Sequence, residues 1–178
     1  MTADPHWDVL MGEMIIRRTA LAEASAGRVF GPSIPGPRAT DSDIAGAEAR
    51  LGHPLDAHHA ALLREGNGYV DVFGFGDLLS TDDLGQGARW EQAQEFLRNF
   101  YEFGPLDGCP PREGLYPFHV GDEDVYVVDM GGALTDGGHP VLRLADQIVD
   151  QWPNAYEYWL AGLTTVDRFT ARMAAEPR

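Results

Sequence analysis

A chain of 178 residues that is 44% hydrophobic, with four Trp, six Tyr and eight Phe, carries enough apolar surface for one core and fits a single domain. A formal net charge of -15, with no lysine and one cysteine, Cys109, excludes an internal disulfide and a cysteine-based zinc site, and disfavours nucleic-acid phosphates and anionic lipid as partners. No segment approaches the ~18 consecutive apolar residues of a membrane span, and the amino terminus lacks a basic stretch followed by an apolar run. The expectation is a soluble cytoplasmic protein with no membrane partner.

In chain order, Asp4-Pro5 offers a cap and a first-turn proline, after which Trp7, Leu10, Met11, Met14 and Leu21 recur at helical spacing. This predicts a helix over about 5–25. Gly31-Pro32, Pro35-Gly36 and Pro37 make residues 27–40 a connector, so residues 1–40 read as an extra N-terminal helix that is an appendage to the main domain. Thr40 with Asp43 is a loose capping box, followed by Ile44, Ala47 and Leu51 on one face and a stop at Gly52. Asp56 then caps a second short helix carrying His59, Leu62 and Leu63, with Gly66 at its end.

From Asn67-Gly68 the period changes to two. Tyr69, Asp71 and Phe73 alternate with Val70, Val72 and Gly74, which predicts the first strand. Helical spacing returns over 88–103, where Trp90, Ala93, Leu97, Phe100 and Tyr101 form an apolar stripe flanked by Phe96 and Phe103. Leu115 to Val120 and Val125 to Met130 are strand-length runs around the polar turn 121–124, and Val141 to Leu144 is a further strand. Trp159, Leu163, Val166, Phe169 and Met173 share a last helical face, which Gly162 and Thr164-Thr165 allow to split in two. Helices, strand, helix, strand meander and helix, without regular β-α alternation, predict the α+β class.

The run from Ile44 to Gly68 resembles the amino-terminal signature of the SUKH superfamily of cell-wall-assembly-regulator-like domains. Glu48, Leu51, Gly52, Leu55, Leu63, Asn67 and Gly68 fit its pattern, whereas Asp56, His59 and Leu62 stand where the family often has proline, tyrosine and phenylalanine. The segment Leu115 to Asp129 is similar to the family's central hairpin, and Tyr156-Glu-Tyr-Trp159-Leu160 to its terminal helix. The resemblance covers about 41–163, leaving 1–40 and a helical tail, 164–178, outside it. It implies a curved antiparallel sheet flanked by helices, and a non-catalytic immunity protein that silences a cognate bacterial polymorphic toxin, often a nuclease. The alternative is a regulatory scaffold that binds a cellular enzyme or a wall-assembly component.

Charge makes that implication concrete. Residues 41–163 hold twenty-two acids against six arginines, so an acidic face is expected to dock on a toxin with a basic surface. Asp71, Asp77, Asp82 and Asp83, together with Asp122, Glu123 and Asp124, are the expected exposed clusters, and Tyr69, Phe75 and Tyr126 the expected aromatic anchors. Taken singly, each acid also reads as a turn former or solvated surface.

No residue set points to catalysis, a cofactor or a metal. His58 and His59 are adjacent and diverge by about 100° on a helix, and His53, His119 and His139 lack ligand-like spacing, so His59 is expected to pack or cap. Gly74-Phe-Gly76 lacks a third glycine and a phosphate-binding lysine. Cys109, between Gly108 and Pro110-Pro111, reads as part of a rigid turn. Oligomeric state is left open.

Overall fold

The computed structural model describes residues 5–102 and 108–175. The expected cap Asp4 and the flanking Phe103 lie outside these residues. The chain forms an α+β fold: α1 (Trp7–Ala24), α2 (Asp41–Leu51), α3 (Ala57–Glu65), β1 (Asp77–Leu78), α4 (Gly87–Glu102), a short 3-10 turn (Arg112–Gly114), β2 (Leu115–Val120), β3 (Val125–Asp129), β4 (Val141–Leu144), β5 (Ile148–Trp152) and α5 (Ala155–Ala175). The five strands form one open, curved antiparallel sheet in the order β1-β2-β3-β4-β5, flanked by helices.

Local chemistry sets the helix boundaries. The Thr40 hydroxyl accepts from the Asp43 N–H at 3.2 Å, and the Asp43 carboxylate accepts from the Thr40 N–H at 2.8 Å, a reciprocal capping box at the start of α2. Gly52 ends α2 at φ 77, the left-handed conformation that glycine adopts without a Cβ penalty. Asp56 caps α3 by accepting from the N–H groups of His58 and His59.

All side chains of Val125 to Val128 in β3 are buried, and since successive residues point to opposite faces, both faces of the sheet are covered. Tyr126 faces Tyr158 of α5, and Tyr116 of β2 stacks on His59 of α3. The opposite face is closed by α4, which packs on β2 and β3. Pro117 in β2 sits beside a register shift between Pro117 and His119, an irregularity that accommodates a residue with no N–H for the ladder.

Three readings are corrected here. Residues 69–74 are not a strand: Asp71 has φ 48, Gly74 φ 88 and Gly76 φ 63, so the segment turns back on itself. The Val72 N–H donates to the Gly76 carbonyl across that turn, Tyr69 makes isolated antiparallel bridges to Pro35 and Leu78, and the first strand of the sheet begins at Asp77. α1 is not an appendage. Trp7, Met11, Met14 and Leu21 are buried, α1 packs along α5, and the Trp159 indole donates to the Leu10 carbonyl at 3.3 Å. Nor does α5 split, since it runs unbroken through Gly162 and Thr164-Thr165. β5 was not foreseen from the sequence. The connector after α1 is pinned by backbone bonds from Gly36 to Gly68, Ala39 to Leu63 and Asn67 to Pro37.

Candidate functional site

The turn at 70–76 and the β2-β3 turn at 121–124 lie far apart in the chain, yet they meet in one groove. Asp71, Asp77, Asp122, Glu123 and Asp124 line it with Phe75, Arg89 and Arg143 around a volume of about 530 Å³. The sheet register explains the meeting. Asp77 is paired with Val120 across β1 and β2, which places the residue that ends one acidic turn beside the strand that leads into the other.

The acids divide into two kinds. Asp71, Asp122 and Glu123 are exposed. Asp77 is half-buried, accepts the Asp71 N–H at 2.9 Å and forms an ion pair with Arg89 at 3.0 Å. Asp124, expected on the exposed face, is buried, because its carboxylate turns inward to Arg143 Nε at 2.7 Å. Arg143 also reaches Asp150 at 3.3 Å and lies 5.7 Å from the Tyr126 ring centroid. Burial opposes its charge, but the Asp124 hydrogen bond and the surrounding acids outweigh that effect and hold the guanidinium pKa above its ordinary value. The groove thus has five carboxylates against two guanidiniums, both of them engaged, and its three exposed acids carry the uncompensated negative charge.

The other expected contact residues fall elsewhere. Asp82 is exposed but does not line the groove, and Asp83 is half-buried, accepting from the Ser80 N–H at 2.9 Å and the Ser80 hydroxyl at 2.7 Å. Asp83 is therefore a turn cap, not part of an exposed cluster. Tyr69 is 2% exposed, with its hydroxyl donating to the Ser33 carbonyl at 3.2 Å, so a partner cannot reach it as an anchor. Burial pushes its phenol up to about 12, with Arg18 pulling the other way. Tyr126 is 3% exposed and stacks on His119 at 4.2 Å, so its expected anchor role is likewise withdrawn. Burial also raises its phenol. Phe75 is half-buried at the groove edge and remains available for contact.

Sequence reading missed the aromatic cluster beneath the groove. His119 is fully buried between Tyr126, Phe73 and Phe75, and its Nδ1 lies 2.6 Å from the Tyr158 hydroxyl. Its Nε2 has no hydrogen-bond partner. Burial pushes the imidazole down to about 3, opposed by the Phe75 backbone, which lies near without bonding geometry to Nε2, and reinforced by Arg143. Only a glycine fits above the ring, since a Cβ on Gly76 would lie 2.3 Å from Nε2. His59 is buried as expected, with Nδ1 3.1 Å from the Tyr116 hydroxyl, and burial pushes it down to about 4 against the pull of Asp56. The available signal was the density of aromatic residues around His119 in the sequence, Tyr116 and Phe118 in β2 and Tyr126 in β3, which a search for catalytic spacing does not weigh.

Among the described residues no group of three His, Cys, Asp or Glu side chains is placed to hold a metal ion. Cys109 is half-buried, and burial raises its thiol pKa, away from nucleophilic character. No helix among these residues is long and apolar enough to cross a membrane. The chain matches no protein-family model, and no curated protein matches it in sequence.

Proposed function

We propose that this chain is a stoichiometric binding protein that occludes a basic protein partner with the acidic groove, and that the partner is a cognate bacterial toxin, which the chain silences as an immunity protein in the cytoplasm without turnover or cofactor. The observation that carries the reading is the convergence of Asp71, Asp122 and Glu123, exposed acids from two separate turns, on one groove whose arginines are already paired. Such a surface speeds encounter with a cationic face and repels nucleic acid. The toxin as partner rests on the SUKH-like order of the Leu51-Gly52, Asn67-Gly68 and hairpin blocks.

The test is to read the adjacent reading frame for a secreted protein with a carboxy-terminal toxin-like domain and to titrate the chain into that domain by calorimetry, at low and at physiological salt. A one-to-one complex is expected, weakened by salt and weakened at least about tenfold by Asp71→Lys with Asp122→Lys and Glu123→Lys. Binding indifferent to both changes refutes docking through the groove. Absence of any complex refutes the immunity reading.

A further inference from the structure

Beside the acidic groove, and sharing Phe75 and Arg143 with it, a second cavity of about 560 Å³ opens between the sheet and α5. Its size is that of a small-molecule site. Its reachable aromatic lining is Trp152, which is backed by buried Tyr126 near-parallel at 22° and 6.1 Å, and Phe75 with Phe169, edge to face at 6.2 Å. A flat ring placed here finds π faces and edges, the geometry in which aromatic contacts add to simple burial.

The charge of the cavity is inverted relative to the molecule. The chain has 28 acids against 13 arginines, yet the cavity is lined by two arginines, Arg143 and Arg168, and one acid, Asp150. Asp150 is already taken by Arg143, while Arg168 meets no carboxylate among the described residues. Its Nη2 donates to the Thr165 hydroxyl at 3.3 Å, and that hydroxyl donates in turn to the Ala161 carbonyl at 2.9 Å, so the remaining N–H groups of the guanidinium are the donors left at the rim for an anionic group.

We propose that this cavity binds a small aromatic anion, a flat ring system bearing one carboxylate, sulfonate or phosphate group, with the ring against the aromatic lining and the charged group on the Arg168 guanidinium. This site is separate from protein docking in the acidic groove and does not depend on it.

Two dyes with the same hydrophobic rings test it: 8-anilinonaphthalene-1-sulfonate, which carries the anion, and N-phenyl-1-naphthylamine, which does not. Each is titrated into the folded full chain at neutral pH with the dye excited directly. The sulfonate is expected to bind about fivefold more tightly than the neutral dye, the scale of one solvent-accessible ion pair. Arg168→Gln, an exposed position, is expected to remove that preference and leave neutral-dye binding unchanged. Ala161→Trp, which fills the cavity from α5, is expected to abolish binding of both. Equal or weaker binding of the sulfonate, a preference that survives Arg168→Gln, binding that survives Ala161→Trp, or no binding of either dye overturns the proposal.

Discussion

Asp56 shows how much one side chain settles. Its carboxylate is fully buried, and Oδ1 accepts from the N–H groups of His58 and His59 at 3.0 and 3.1 Å, while Oδ2 accepts the His139 N–H at 2.8 Å and lies 3.0 Å from His139 Nδ1. It both starts α3 and ties that helix to the loop before β4. Asp56→Ala strands several buried donors at once, and the expected loss is about 3–5 kcal/mol in urea unfolding, against about half that for Asp56→Asn, which keeps the capping oxygen. A loss under about 1 kcal/mol for the alanine variant refutes the link. His119 makes a second residue-scale prediction, with a definite sign. Its folded pKa is pushed down to about 3 from an ordinary 6.5, so the unfolded chain binds the proton first as pH falls. The stability that neutral His119 contributes is complete above about 6.5 and is lost progressively toward about 3, by about 1.4 kcal/mol per pH unit. His59, pushed down to about 4, acts in the same sense. At pH 7.5 His119→Phe is expected to be less stable than the parent, because the Tyr158 hydroxyl loses its partner. The gap should narrow at pH 6 and again at pH 5. A gap constant across these pH values shows that the folded protein does not hold this imidazole neutral.

At the scale of elements, what was legible followed from local chemistry and what was hidden followed from tertiary contact. The caps Thr40, Asp43, Gly52 and Asp56 act within three or four residues, so their letters alone place α2 and α3. The 69–74 alternation misleads because a tight turn with Asp71, Gly74 and Gly76 at positive φ also alternates apolar and polar residues. β5 escapes notice because Ile148-Val-Asp-Gln-Trp152 is an edge strand with an exposed middle, where period-two burial is absent. The acids of the candidate site were identifiable by type and position, but their convergence depends on the β1-β2 register, and the inward turn of Asp124 depends on Arg143 arriving from β4. Gly162 reads as a helix breaker in isolation, whereas its reason lies across the interface: a Cβ there would stand 2.2 Å from the Phe73 ring, which is itself held by His119, Tyr158 and Trp159. Gly162→Ala gains up to about 1 kcal/mol of helix propensity and forces this cluster apart at a cost of about 1–3 kcal/mol. The net expectation is a lower melting temperature. A higher one means that the ring can yield without strain.

For the whole molecule the decisive quantity is a net charge of -15 on a 19.5 kDa chain. Like charges on a compact body repel, which favours expansion, while ion pairs such as Arg17 with Asp167 and Arg64 with Asp41 pull the other way. These pairs are solvent-accessible and each contributes only about 0–1 kcal/mol, and with 28 acids to 13 arginines most carboxylates have no cation to meet. Repulsion therefore outweighs attraction. Salt screens both, with a Debye length falling from about 30 Å at 0.01 M to about 8 Å at 0.15 M, so the larger, repulsive contribution loses more. The melting temperature is expected to rise with sodium chloride over that range, while affinity for a basic partner docked on Asp71, Asp122 and Glu123 is expected to fall over the same range. Differential scanning fluorimetry and calorimetric titration on one set of buffers give both slopes. Opposite signs separate a surface built to attract a cationic partner from one in which the acids serve stability, and a melting temperature that falls with salt refutes the dominance of repulsion.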